Sequence, residues 1–226
     1  GRNSTGVRGI TNLQYIIDYY LQGKERPPLT DVFTVDVGTL TAIHLRYKMD
    51  LAELPDWEYS HGVQIAHMDF HDVMCRAKNI HVENDDVSVR LVRFRCEERS
   101  GFKVDHVEGK VHVSPTDITT TDVVIRTPQS EVLADVRMTY DGWEQMMDYV
   151  NSVHHDITLK EGTSVALGDA AYWAPMLWGA DTRIEVQGHL EGIINDMTTD
   201  LMVHLGERSG LLAAGSLRDI TNSDST

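Results

Sequence analysis

The feature that most constrains this chain is a succession of strand-like runs whose connections are too short to hold a helix. Ile65–Val82, Val87–Cys96, Phe102–Val113, Ile118–Ile125 and Val132–Tyr140 are rich in β-branched and aromatic residues. Between them stand the turn clusters Asn84-Asp85-Asp86, Glu98-Arg99-Ser100-Gly101, Ser114-Pro115-Thr116-Asp117 and Thr127-Pro128-Gln129-Ser130. A parallel pair needs a crossover of about a dozen residues, so these strands pair antiparallel with their sequence neighbours, as a meander. Val87, Val89 and Leu91 alternate with Ser88 and Arg90, and Val132, Ala134, Val136, Met138 and Tyr140 hold one face. Alternate side chains of a strand share a face, so one face of this sheet is expected to be apolar and the other polar and wet.

The flanks extend the pattern. Ile10, Leu13, Ile17, Tyr20 and Leu21 recur at helical spacing until Gly23 and Pro27-Pro28, which predicts a helix and linker over residues 1–30. The remainder, 31–226, reads as one repetitive β segment. Val32–Val37 and Ala42–Tyr47 look like two short strands parted by Gly38, followed by a loop over 51–62. Strands resume at Ile157–Leu159, Ser164–Leu167, Arg183–Met197, Asp200–Leu205 and Leu211–Leu217. The capping-box pattern Asp141-Gly142-Trp143-Glu144 predicts a short helix near 141–150. Gly168–Trp173, closed by Pro175, predicts another near 169–175. Glu98-Arg99-Ser100-Gly101 recurs as Glu207-Arg208-Ser209-Gly210, each followed by an apolar residue, which reads as one hairpin loop used twice with its glycine at positive φ. The fold class is all-β.

Charge narrows the partners. The chain carries 20 basic and 35 acidic residues, a net charge of −15, the wrong sign for displacing counterions from a nucleic acid. At 41% hydrophobic and 24% charged it is ordinary globular material. The longest apolar stretch, Ala170–Trp178, is broken by Pro175 and falls well short of the roughly 20 residues of a membrane span. Gly1 at the start and the polar run Asn222–Thr226 at the end suggest an internal piece of a longer protein.

Two cysteines exclude a disulfide framework and a four-thiolate metal site. With Asp85-Asp86 as the tip of the first long hairpin, Val82 faces Val89, Ile80 faces Leu91, Ala77 faces Phe94 and Cys75 faces Cys96. The apolar phase slips on both strands between the second and third of these pairs. Opposed cysteines are close enough for a somewhat strained bridge or for two packed thiols.

Chemistry-bearing motifs are sparse. His67, Asp69 and His71, alternating with Met68 and Phe70, could present two imidazoles and a carboxylate on one strand face, the donor set of a zinc or non-haem iron site. A plain polar strand face explains the same pattern more simply. His154-His155-Asp156 places neighbours on opposite faces. No nucleophile elbow, phosphate loop or His-Glu-x-x-His is present, Arg99-Ser100-Gly101 sits on a hairpin tip, and no pair among the acids stands out. Trp143, Trp173 and Trp178 read as plugs on a sheet end. No catalytic residue, metal or cofactor is indicated.

What remains is the apolar face, carried by Val87, Val89, Leu91, Phe94, Val111, Val113, Val123, Ile125, Val132, Val136 and Met138. Two readings fit: the inner side of a closed β-sandwich, which makes the chain a non-catalytic scaffold or adhesin domain, or an open groove that holds acyl chains.

The segments Gly9–Asp18, Val37–Leu40, Arg95–Phe102, Ile125–Ser130, Val165–Pro175 and Gly192–Asp196 resemble, in this order, the TamB/AsmA-like family, across Gly9 to about Ile220. The resemblance implies an elongated, folded-over open sheet (a "β-taco") with a hydrophobic inside. It further implies a periplasmic section of an inner-membrane-anchored protein in a double-membraned bacterium. The expected function is phospholipid transport between inner and outer membranes, outer-membrane protein assembly, or both. Its expected partners are phospholipid acyl chains and a barrel protein of the BamA type.

Overall fold

The computed structural model describes residues 34–49, 62–64, 67–142, 145, 149–205 and 210–218. The helix and linker expected over residues 1–30, the expected loop over 51–61, Trp143, Glu144 and the second copy of the Glu-Arg-Ser run lie outside them. Within the described residues eleven strands form a single antiparallel sheet. In chain order they are β1 Thr34–Lys48, β2 Asp69–Glu83, β3 Asp86–Glu98, β4 Lys103–Val113, β5 Asp117–Arg126, β6 Glu131–Thr139, β7 His154–Leu159, β8 Ser164–Ala166, β9 Arg183–Ile193, β10 Asp196–His204 and β11 Gly210–Arg218. Each pairs with its sequence neighbour, except that β9 pairs with β7 while the short β8 bridges β6 and β9. β1 and β11 are the two ends of the path, so the sheet is open, neither a barrel nor a pair of stacked sheets.

The turn chemistry behaves as its residues dictate. Ser114 accepts from the Thr116 and Asp117 amides and donates to Asp117, closing the β4–β5 turn. Thr127 does the same for the Gln129 and Ser130 amides between β5 and β6. Gly101 closes the β3–β4 hairpin at φ +95, with its amide on the Glu98 carbonyl at 2.8 Å. In the second copy of that tetrapeptide Gly210 is a strand residue opposite His204, while Glu207, Arg208 and Ser209 lie outside the described residues.

Several boundaries differ from expectation for identifiable reasons. β1 is one 15-residue strand that passes straight through Gly38, where a side chain would meet nothing within 4 Å. The run Arg183–Met197 is two strands around Ile194-Asn195, a turn that the apolar Ile194 conceals. Of the first short helix the described residues include α1, Tyr149–Ser152, while 143, 144 and 146–148 lie outside them. The side chain that reaches back to the Asp141 amide is Gln145, at 2.7 Å. The second becomes α2, Leu167–Ala170, then a 3-10 turn at Pro175–Leu177.

The β2–β3 register is a clear correction. The tip is Asn84-Asp85, with Asn84 at φ +53, so Val82 faces Val87 and Cys75 faces Phe94. Ala77 faces Leu91, and Cys96 faces Val104 across β4. Moving the tip by one residue moves the partners of Val82 and Cys75 by two, and the register shifts on β2 move the partner of Ala77 by three, from Phe94 to Leu91. Cys75 and Cys96 thus become diagonal neighbours, whose Cα atoms lie about 7–8 Å apart, and both are free thiols. An even displacement leaves a side chain on its expected face, and at Ala77 the extra residue of the bulge around Asn79 takes up the odd one.

Where the alternation slips, the strands carry bulges. Register shifts occur at Lys78/His81 on β2, at Leu91/Phe94 on β3 and at Thr120/Val123 on β5. Asn79 and Asp122 take positive φ there, at +50 and +55, which Asn and Asp tolerate better than other side chains. A bulge bends its strand and increases the local twist. Beside these bulges runs a cross-strand row with small residues at Ala77, Gly109, Ala134 and Gly188. Ala77 and Ala134 are each 4% exposed. The long strands are thus bent near their middles along one line.

Candidate functional site

The register assembles the candidate site row by row. Directly opposed residues share a face, so Val35, Val82, Val87, Val113, Ile118, Met138, His155, Gly192 and Met197 form one row across nine strands. One step along, Val89, Val111, Thr120, Val136, Ile157, Leu190 and Thr199 form the next. Beyond the bend come Leu91, Gly109, Val123, Ala134, Leu159, Gly188 and Leu201, then Cys75, Phe94, Val107, Ile125 and Val132. Val87, Val89, Leu91, Phe94, Val111, Val113, Val123, Ile125, Val132, Val136 and Met138 therefore all lie on one face. Each is half-buried, neither sealed in a core nor fully open.

That intermediate exposure distinguishes the two packings. In a closed sandwich, inner side chains are sealed by the facing sheet. Here the buried apolar residues are few, among them Val73, Ala77, Ala134, Val186 and Met197, and no described strand lies outside the single sheet. Toward the free β1 edge the face opens further, with Leu40 51% and Tyr47 54% exposed.

The opposite face is a charged ladder. Lys110 and Lys160 reach Asp122 at 2.9 and 3.6 Å, and Lys160 reaches Asp135 at 2.7 Å. The Asp122 amide donates to Asp135 at 2.7 Å, so this cluster holds the β5 bulge from the wet side. The Lys110 ammonium bonded to Asp122 keeps its carboxyl below the usual range. Arg126 pairs with Glu131, Lys103 with Glu97 and His81 with Asp36. Pairs this exposed contribute little individually, but they make the two faces unlike.

Polar groups interrupt the apolar face at its two ends. At one end His155, buried, bonds the Tyr149 hydroxyl through Nε2 at 2.9 Å, and that hydroxyl donates to Met138 Sδ at 3.4 Å. α1 thereby lies over the first row, and burial holds the imidazole below its ordinary pKa. At the other end Glu98, 1% exposed, accepts from the Asp69 amide at 3.1 Å and the Ser100 amide at 2.7 Å, between Phe70 and Phe102 in the register. Tyr172 and Trp173 each place a ring 5.5 Å from Phe102, so Trp173 does pack at a sheet end. Burial also raises the two inward-facing thiols, Cys96 to about 11.

The alternative metal arrangement does not assemble. β2 begins at Asp69, so His67 is off the strand, and both Asp69 carboxylate oxygens are taken by Arg46. His155 turns inward while His154 and Asp156 turn out. Among the described residues no three His, Cys, Asp or Glu side chains converge, and no helix is long and apolar enough to cross a membrane. Sequence reasoning missed Tyr149, His155 and Glu98 as parts of this face. The one available signal is that His155 and Glu98 each interrupt an apolar alternation. No family model, curated protein or solved structure matches the chain.

Proposed function

We propose that this chain is a section of a lipid conduit whose apolar face holds acyl chains. The observation that carries the reading is the row architecture. Successive rows of mainly aliphatic side chains, the first crossing nine hydrogen-bonded strands, lie on one face of an open sheet, with the charged ladder on the other and Glu98 buried at one end of the apolar face. Monomers rarely leave apolar area of this extent without a bound partner. Transfer of hydrocarbon from water yields about 0.8 kcal/mol per methylene and has no directional requirement. A continuous aliphatic lining therefore retains a chain without fixing it at one point, which is what sliding requires.

The resemblance to the TamB/AsmA-like family supplies the setting: a periplasmic section of an inner-membrane-anchored protein that passes phospholipid between membranes or assists outer-membrane protein assembly beside a BamA-type barrel. A non-enzymatic role fits a face that offers aliphatic groups and two buried polar side chains at its ends. Native mass spectrometry of the purified chain tests the reading. Co-purified phospholipid is expected, and its absence across detergent-free preparations, with no uptake of added fatty acid, removes the proposal.

A further inference from the structure

From Ala170 to Ala180 the chain reads Ala-Ala-Tyr-Trp-Ala-Pro-Met-Leu-Trp-Gly-Ala, with no charge between Asp169 and Asp181. A segment this apolar is usually interior. Here Met176 is 89%, Trp173 52% and Trp178 51% exposed. The exposure is not that of a loose loop, because the segment is fastened on both sides. Asp169, buried, accepts from Thr127 and from Ser130 at 2.6 Å. The Val63 amide donates to the Tyr172 carbonyl at 2.7 Å, and Tyr172 crosses Trp178 edge-on at 6.0 Å. A rigid base thus presents two indoles and a thioether to solvent.

We infer that this knob seats in the interfacial layer of a lipid bilayer. Two observations favour lipid over a protein partner. A protein hot spot sits within a polar rim that excludes water around it, whereas here the most protruding side chain is the bare Met176 and the segment bears no charge. The knob is also continuous with the apolar face, since Tyr172 and Trp173 pack on Phe102, which closes the row of Phe70 and Glu98. Tryptophan and tyrosine prefer the headgroup level of a membrane. With a net charge of −15 the chain is suited to a zwitterionic surface rather than an anionic one. Resting on the acyl-chain reading, the knob is where the groove meets a bilayer, so that a chain can pass between them without crossing water.

The test is flotation of the 226-residue chain with phosphatidylcholine vesicles, comparing wild type, Met176→Asp and Met176→Leu. Met176 stands almost free of the fold, so either variant should keep the wild-type circular dichroism. Met176→Asp should lower vesicle partitioning by about tenfold or more and Met176→Leu should preserve it, both unaffected by added salt. Equal flotation of the Asp variant overturns the inference. So does failure of wild type to float, or binding that requires anionic lipid and disappears in salt. A fluorescent fatty acid in vesicle-free buffer reads the groove separately. Uptake without flotation defeats only the knob, and flotation without uptake defeats only the groove.

Discussion

Val89→Asp and Ser88→Asp change the same charge on consecutive residues of β3, one on each face of the sheet. Val89 faces Val111 in the second inner row, half-buried. A carboxylate there keeps its hydration, because the site is open, and that water occupies the volume a hydrocarbon chain would fill. If one side chain's width of lining accounts for about four methylenes, the loss is about 3 kcal/mol, roughly two orders of magnitude in retention. The cost to the fold is only about 1 kcal/mol, since the site is not sealed. Ser88 points outward, with Oγ 3.0 Å from Nδ1 of His112, so an aspartate there stays in water beside a ring N–H that can donate to it. Displacement of a fluorescent fatty acid, with denaturation midpoints measured alongside, checks both. Val89→Asp should lose affinity by about a hundredfold while Ser88→Asp remains at wild type. Retention by Val89→Asp, or equal loss by Ser88→Asp, would refute an acyl-binding face.

Further outcomes follow from the geometry. Gly188→Ala would place a methyl group 2.1 Å from the Asp200 carbonyl at φ +137, and should cost about 2–4 kcal/mol in chemical denaturation, whereas Gly38→Ala, with open space around it, should be near neutral. Asn79→Val should lose about 1–2 kcal/mol by forcing a β-branched residue into φ +50, and Asn79→Gly far less. The non-reducing mass should be that of two free thiols, with Cys96 alkylated slowly at pH 8 because its pKa stands at about 11. The depressed pKa of His155 means the unfolded chain binds the extra proton first. Stability should therefore fall as pH drops below about 6.5 toward the lower folded value, and His155→Phe should flatten that slope in a thermal melt series. His81, raised by Asp36, contributes in the opposite sense on an exposed surface and makes the wild-type comparison essential.

Much of this fold is legible because the sequence states it twice, in alternation and in turn chemistry. Val132, Ala134, Val136 and Met138 settle the face of β6, and the Ser114 and Thr127 hydroxyls settle the turns before and after β5. The bulges are not legible as such. Asn79 and Asp122 look like ordinary outward polar residues, and only the shift of apolar phase around them shows that an extra residue is present. The β2–β3 register is obscured for a related reason. Asn84 and Asp85 form the tip because Asn84 accepts positive φ, yet Asp85-Asp86 is an equally polar pair. Glu98 shows a third limit: a glutamate beside a hairpin tip reads as surface, while its burial depends on two amides from different loops.

The bulges also explain how one sheet can hold a long apolar face without a second layer. A flat 15-residue strand exposes its inner side chains evenly, and a flat sheet with that lining invites stacking on another copy. Bending each long strand at one level turns the two halves of the inner face toward each other, so that each half shields the other from water. The row at the bend must then be small, since side chains converge there. Ala77, Gly109, Ala134 and Gly188 occupy it, and the two alanines are buried although no described strand lies outside the sheet. On the outer side the same bend spreads the strands, and there Asp122, Lys110, Lys160 and Asp135 bridge β4, β5, β6 and the residue after β7. Enlarging the inner row should therefore open the bend. Ala134→Leu would force the walls apart and raise exposure of Val132 and Val136, read as faster amide exchange along β6 than in a wild-type control. Unchanged exchange with normal stability would mean that the row of small residues does not mark the bend.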